Sequence, residues 1–297
     1  MLRKVAWLAA VAVLVLGGTA FGLLHLGGGH GPQAKASVRV PVRTTTKTVN
    51  VNGVERGYEV FAPARALPAS APVIVMLSGY GATVDEEVTR DQLVPYVSAD
   101  EAELVYPVAV DQSWNAIGCC GYASGMNVDD LAFLKSLATA VDPGKQRPLY
   151  LVGFSNGARL AYRVACTDPD EFDAYAMVKG LPMTGCVVRK PVTLIQLASV
   201  DDPEIPYKPG DKGLEPLPVT TEMAALRGSD DCRWTTDVTH AKDVTLTTWS
   251  GCTGEARLAS AVWQAGAHVF PRPPDNKQGA AAVIWSFLTN TALAPLP

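Results

Sequence analysis

The stretch Pro148 to Cys166, PLYLVGFSNGARLAYRVAC, decides how the rest of the chain is read. Leu149 to Val152 is a short apolar run of the kind that forms a buried strand. Leu160, Ala161, Val164 and Ala165 then recur at helical spacing. The period changes at Gly153-Phe154-Ser155-Asn156-Gly157, which fits G-x-S-x-G. In that pattern a strained strand-to-helix turn lifts a serine hydroxyl clear of a sheet and leaves the next backbone N–H, here that of Asn156, free to hold an oxyanion. Side chains at the two flanking glycines would collide across so sharp a turn. A plain Gly-Ser loop after a core strand would show the same five residues, so the reading depends on what else reaches Ser155.

On either side, Pro72 to Leu77, Ala174 to Val178 and Pro191 to Leu197 are further apolar runs alternating with helical patterns. This predicts an α/β fold, an open and mostly parallel sheet with helices on both faces. Pro72 to Leu77 ends at Ser78-Gly79-Tyr80-Gly81, a small-residue loop on the same sheet edge, and the Tyr80 N–H can join that of Asn156 in an oxyanion hole. A simple strand-to-helix turn is the other reading of that loop. Antiparallel strands come first: Val38 to Arg43, Lys47 to Val51 and Gly57 to Phe61 are extended, with the hairpin signal Asn52-Gly53 among them. Between the sheet strands the pattern predicts a helix around Asp85 to Val97, a strand at Glu103 to Tyr106 and a long loop from Pro107 to Met126. Asn127 is the expected cap of the next helix, with Asp129 and Asp130 in its first turn as helix-start chemistry rather than metal ligands, and Leu131, Leu134, Leu137 and Val141 as its buried stripe.

A carboxylate and a base are needed to activate a serine. Asp201 and Asp202, in Ser199-Val200-Asp201-Asp202-Pro203, stand just past a late strand where such a carboxylate belongs, although Asp-Pro also opens turns. Of four histidines, His25 and His30 lie in or beside an N-terminal apolar segment, and His240 sits between Cys232 and Cys252. His268, in Gly266-Ala267-His268 between the last strand and the last helix, is the expected base. The order Ser155, Asp202, His268 is that of α/β-hydrolases.

With 297 residues and 48% apolar content, the chain can bury a large core. Met1 to Leu26 carries Arg3 and Lys4 followed by an uncharged apolar run, and Ala34-Lys35-Ala36 offers an A-x-A-like cleavage site. Residues 1–36 are therefore expected to be a signal peptide or a membrane anchor through residues 5–26, and 37–297 a single catalytic domain, secreted or held outside the membrane. No cysteine precedes Cys119, which leaves none for N-terminal lipidation. The 25 basic residues less Arg3, Lys4 and Lys35 leave 22 against 29 acidic ones, a formal charge of −7 that argues against nucleic acid as a partner. All six cysteines follow the export segment, where disulfides persist. Cys232 with Cys252 is the expected pair, and Cys119 and Cys120 are expected to take Cys166 and Cys186 in either order. With no C-x-x-C and few histidines, no metal site is expected.

From about Arg56 to Leu288 the chain resembles the secreted polyhydroxybutyrate depolymerase and feruloyl esterase group of α/β-hydrolases. The likeness is carried by Ser113-Trp114-Asn115 with Cys119-Cys120-Gly121, Val128-Asp129-Asp130, the elbow at Ser155, Asp202-Pro203 with Pro206-Tyr207, and Gly266-Ala267-His268 with Pro271. The resemblance implies hydrolysis of polyester or cell-wall ester bonds without a cofactor. It implies Ser155 as nucleophile, His268 as base, Asp202 rather than Asp201 as the carboxylate, and Tyr80 as second oxyanion donor. Two positions depart from the pattern: Ser78 stands where the family usually has histidine, and Phe270 where it has tryptophan. Trp114, in the loop over the expected site, is the candidate to line the substrate pocket, or else packs on the disulfides. A binding protein on the same scaffold, or a peptidase or acyltransferase using the same three residues, are the competing functions.

Overall fold

Asn52 and Gly53 reverse the chain in two residues: both have positive φ, 51° and 88°, and Val51 pairs directly with Val54. This is the turn whose twist matches two antiparallel strands, here β1 (Val42–Val51) and β2 (Val54–Pro63). In the computed structural model of the protein, the described residues are 41–183, 185–213, 217–241, 243–272 and 279–292. The chain divides into two units, Met1–Ala36 and Ser37–Pro297, and the described residues all belong to the second. The expected export or anchor segment lies outside them. No helix among the described residues is long and apolar enough to cross a membrane.

The described residues form a ten-stranded sheet in the order β1-β2-β4-β3-β5-β6-β7-β10-β9-β8. Six neighbouring strands are parallel: β4 (Glu103–Pro107), β3 (Val73–Leu77), β5 (Leu149–Phe154), β6 (Ala174–Val178), β7 (Leu194–Ser199) and β10 (Leu258–Trp263). Antiparallel strands were expected only at the N-terminal edge. The structure adds a second antiparallel pair at the other edge, β8 (Trp234–Ala241) and β9 (Val244–Ser250), with β9 against β10. The Cys232–Cys252 disulfide joins the two ends of this hairpin.

The parallel strands read as continuous apolar runs because both faces are covered. Val73, Val75 and Leu77 enter one core while Ile74 and Met76 enter the other, the period of two that a strand imposes. Helices α4 (Asp130–Val141), α5 (Asn156–Thr167) and α6 (Val219–Ser229) cover the first face, through Phe133, Leu160 and Met223. On the second face lie α2 (Val94–Ser98) and α7 (Ala280–Thr289), through Tyr96 and Ile284.

Three local expectations are corrected. The helix expected over 85–97 is two, α1 (Val84–Asp91) and α2, because Gln92 takes a left-handed conformation (φ 58°) and Pro95 starts the second. α4 is capped by Asp129, whose carboxylate accepts from Ala132 N–H, while Asn127 has φ 51° and bonds Asn115 instead. Cys166 bonds Cys186 with Cα atoms 5.6 Å apart, and Cys119 bonds Cys120 across a cis peptide. The reason is position along α5: Cys120 Sγ lies 3.5 Å from Arg159 Nη1, and Cys166 is two turns, about 10 Å, further down the helix.

Candidate active site

β5 is buried at every residue and delivers Ser155 to the carboxyl edge of the sheet, where α5 begins at Asn156. Ser155 has φ 51° and ψ −113°, a strained conformation for a residue with a side chain. Close approach requires the glycines: a Cβ on Gly153 would stand 2.4 Å from Gly157 O, and one on Gly157 would stand 2.4 Å from Leu77 O. The Ser155 N–H donates to Val178 O at 2.8 Å, tying the turn to β6.

Ser155 Oγ lies 2.8 Å from His268 Nε2, and His268 Nδ1 faces both oxygens of Asp202 at 3.0 and 3.1 Å. Three groups separated by up to 113 positions in sequence thus stand in one line. Burial raises an aspartate, but at Asp202 the hydrogen bond and charge of His268, with the N–H groups of Glu204 and Ile205, outweigh it and hold the carboxyl below its ordinary range. Asp201, its neighbour, accepts from the Ala267 N–H at 2.9 Å and so fixes the backbone just before His268. Both aspartates serve the histidine, one through its ring and one through its loop. Phe154 stacks on the imidazole at 5.6 Å between centroids and is backed by buried Phe270, 5.8 Å away. The departure from tryptophan at 270 is therefore a core position behind the ring.

The loop after β3 commits much of its backbone. Gly79 N–H donates to Glu87 Oε2, Gly81 N–H to Gln112 O and Ala82 N–H to Gly79 O. The Tyr80 N–H has no partner among the described residues, nor has that of Asn156, one of the orphan donors of the first turn of α5. These are the two donors expected from the sequence. Glu87 is fully buried and pairs with Arg90 at 2.7 Å. Burial pushes its carboxyl up, with Arg90 and the Gly79 N–H pulling the other way.

Trp114, the candidate either to line the substrate pocket or to pack on the disulfides, lies between the loop after β3 and the elbow. Its indole is wholly buried and donates to Ser78 O at 3.0 Å, while its backbone exchanges hydrogen bonds with the Asn156 side chain at 2.8 and 3.1 Å. It staples the loop after β3 to the elbow. Asp130 anchors the loop that carries Trp114: it receives Arg56 Nη2 at 2.9 Å and Asn115 N–H at 2.7 Å, fully buried. His240 stands exposed on β8 against Thr245 Oγ1 and takes no part in the site. Among the described residues no cluster of metal-ligating side chains occurs.

Two participants escaped the sequence reading. Lys179, directly after β6, is fully buried, and its Nζ donates to Gly266 O at 2.8 Å and to Ala267 O. Burial pulls its ammonium down to about 8, against the charges of Asp202 and Asp201. Lys179-Gly180 directly follows an all-buried strand, and a Cβ on Gly180 would meet Ser155 O at 2.6 Å, so this turn touches the elbow. Glu204 places Oε2 3.5 Å from His268 Nε2 and had no sequence signal beyond closeness to Asp202.

The fold has counterparts among known proteins. No family model matches the sequence. Among curated proteins, NocK of Nocardia uniformis subsp. tsuyamanensis, which carries an esterase name, is 31% identical over 190 residues, covering 60% of this chain and 53% of that protein. A protein of Aspergillus niger named feruloyl esterase C is 23% identical over 139 residues, covering 44% of this chain and 48% of its own length. The chain thus spans about half the length of these curated relatives. Among solved structures, the acetyl xylan esterase from Aspergillus awamori superposes with a TM-score of 0.57 at 13% identity, over 78% of this chain and 96% of that one. The chain has the α/β-hydrolase fold.

Proposed function

We propose that the protein is a serine ester hydrolase that cleaves carboxylic esters through an acyl-enzyme. The observation that carries this reading is the unbroken hydrogen-bonded line Asp202–His268–Ser155 at the carboxyl edge of the sheet. The esterase names of the two curated relatives support it. In the first step His268 Nε2 takes the Ser155 proton as Oγ bonds the ester carbonyl carbon. Asp202 holds the imidazole with Nδ1 protonated and stabilises the imidazolium that forms. The N–H groups of Tyr80 and Asn156 receive the oxyanion, and losing one such donor costs about 3 kcal/mol of barrier. The imidazolium returns its proton to the leaving alcohol as the carbonyl–oxygen bond breaks, and water repeats the sequence on the acyl-enzyme.

The substrates proposed are feruloyl, acetyl or hydroxyalkanoate esters, as polymer or small molecule. The three disulfides, the expected export segment and the fungal relative fit work outside the cell, free or anchored. Hydrolysis of p-nitrophenyl acetate by wild type and Ser155→Ala tests the reading: activity in the first and none above background in a folded second is expected. Activity persisting in Ser155→Ala would remove Ser155 as nucleophile. A panel of hydroxybutyrate oligomers, feruloyl esters and acetylated xylan then ranks the substrates.

A further inference from the structure

Glu204 stands two residues past Asp202 in the loop after β7, and its backbone N–H is fixed by Asp202 Oδ1 at 2.9 Å. Its carboxylate turns to the other side of the imidazole: Oε2 is 3.5 Å from His268 Nε2, the nitrogen that faces Ser155 Oγ at 2.8 Å. The side chain is 44% exposed, and among the described residues no lysine or arginine forms an ion pair with it. The other charges around the histidine are otherwise engaged. Asp202 is buried on the Nδ1 side, Asp201 holds the Ala267 N–H, and Lys179 is buried on the Gly266 and Ala267 carbonyls. Arg90 lies over the far partner of the imidazole, Phe154, and is paired with Glu87. A solvent-open carboxylate therefore flanks the atom that must protonate the leaving group.

We propose that Glu204 sets the charge preference of the site, favouring esters whose leaving group is cationic, such as amino-alcohol esters, over neutral ones, and neutral ones over esters whose leaving group bears a carboxylate. The proposal rests on the ester-hydrolase reading and names a substrate class within it. The geometry is restrictive. A leaving oxygen must come within about 3 Å of Nε2 to receive its proton, which puts it no further than about 6.5 Å from Glu204 Oε2. An ammonium two carbons beyond that oxygen can approach the carboxylate directly. Because the carboxylate is half in water, its effect is that of an exposed ion pair, a few-fold in rate rather than orders of magnitude.

The test fixes the acyl group and varies only the leaving-group charge: kcat/KM for acetylcholine, for its neutral isostere 3,3-dimethylbutyl acetate and for anionic 3-acetoxypropionate, by acid release in a pH-stat, with p-nitrophenyl acetate alongside. Wild type should prefer cation over neutral over anion. In Glu204→Gln the cation-to-neutral ratio should fall about three- to five-fold, and in Glu204→Lys the order should invert. The wild-type ratio should also move towards one in 1 M salt, which screens a half-exposed charge. Ratios equal in wild type and both variants, with p-nitrophenyl acetate still hydrolysed, would overturn the role of Glu204 and leave the esterase reading standing. Failure of wild type on all four esters would overturn both.

Discussion

Two loops meet at Ser155, and each is held by a buried charge of opposite sign. The loop from Ser113 to Asp130 is pinned by a carboxylate, Asp130, which gathers Arg56 and the Asn115 N–H. The loop from Gln264 to Arg272 is pinned by an ammonium, Lys179, which gathers the carbonyls of Gly266 and Ala267. The first anchor has a hydrogen-bonded counter-ion and supports the elbow; the second hydrogen-bonds only carbonyls and supports the loop that carries His268. A buried ion pair whose partner is removed leaves a stranded charge, whereas a buried lysine that is removed takes its charge with it. The two anchors should therefore fail differently, one in stability and the other in catalysis.

Asp130→Ala carries the largest expected effect on stability. It strands Arg56, itself buried and lying over the Phe133 ring, and should cost about 3–5 kcal/mol in chemical denaturation. A loss below about 1 kcal/mol would mean that water reaches Arg56 and that the pair is not an anchor. Lys179→Met should lower kcat on the order of 100-fold while KM changes little, since the histidine loop loses its tie and small displacements at the reacting atoms are costly. An unchanged kcat would show that Asp201 alone holds the loop. The same variant has a pH signature. The folded ammonium is pulled down to about 8, so between there and the ordinary 10.5 the unfolded chain binds this proton and the folded chain does not. Wild-type stability should rise with pH across that window, and Lys179→Met should lack the rise. Trp114→Phe is the smallest: losing the indole bond to Ser78 O should cost about 1 kcal/mol with KM for p-nitrophenyl acetate unchanged. A raised KM would return Trp114 to the substrate pocket.

Legibility in the sequence follows how far apart the interacting residues lie. The Asn52-Gly53 hairpin and the elbow at Ser155 are local, each decided by backbone sterics within five residues, and both stand where the residues put them. His268 and the adjacent pair Asp201 and Asp202 are readable because a sheet edge gathers strand ends in a fixed order, so position after a strand substitutes for distance; the choice of Asp202 within the pair comes from the family resemblance. Burial inside a loop has no such rule. Trp114 stays open between pocket and packing because nothing in its window tells which way a loop indole turns, and the pairing of Cys119 and Cys120 with each other depends on where α5 carries Cys166. Lys179 has no place in the sequence reading because lysines rarely go inside, and its acceptors lie 87 and 88 positions away.

The claim on which the account turns is that Ser155 is activated by His268. Intact-mass measurement after treatment with a fluorophosphonate tests it most directly, followed by mapping of the labelled peptide. One equivalent of label on Ser155 in wild type, and none in His268→Ala over the same interval, is the predicted result. Equal labelling of the two proteins, or no labelling of wild type, would contradict it.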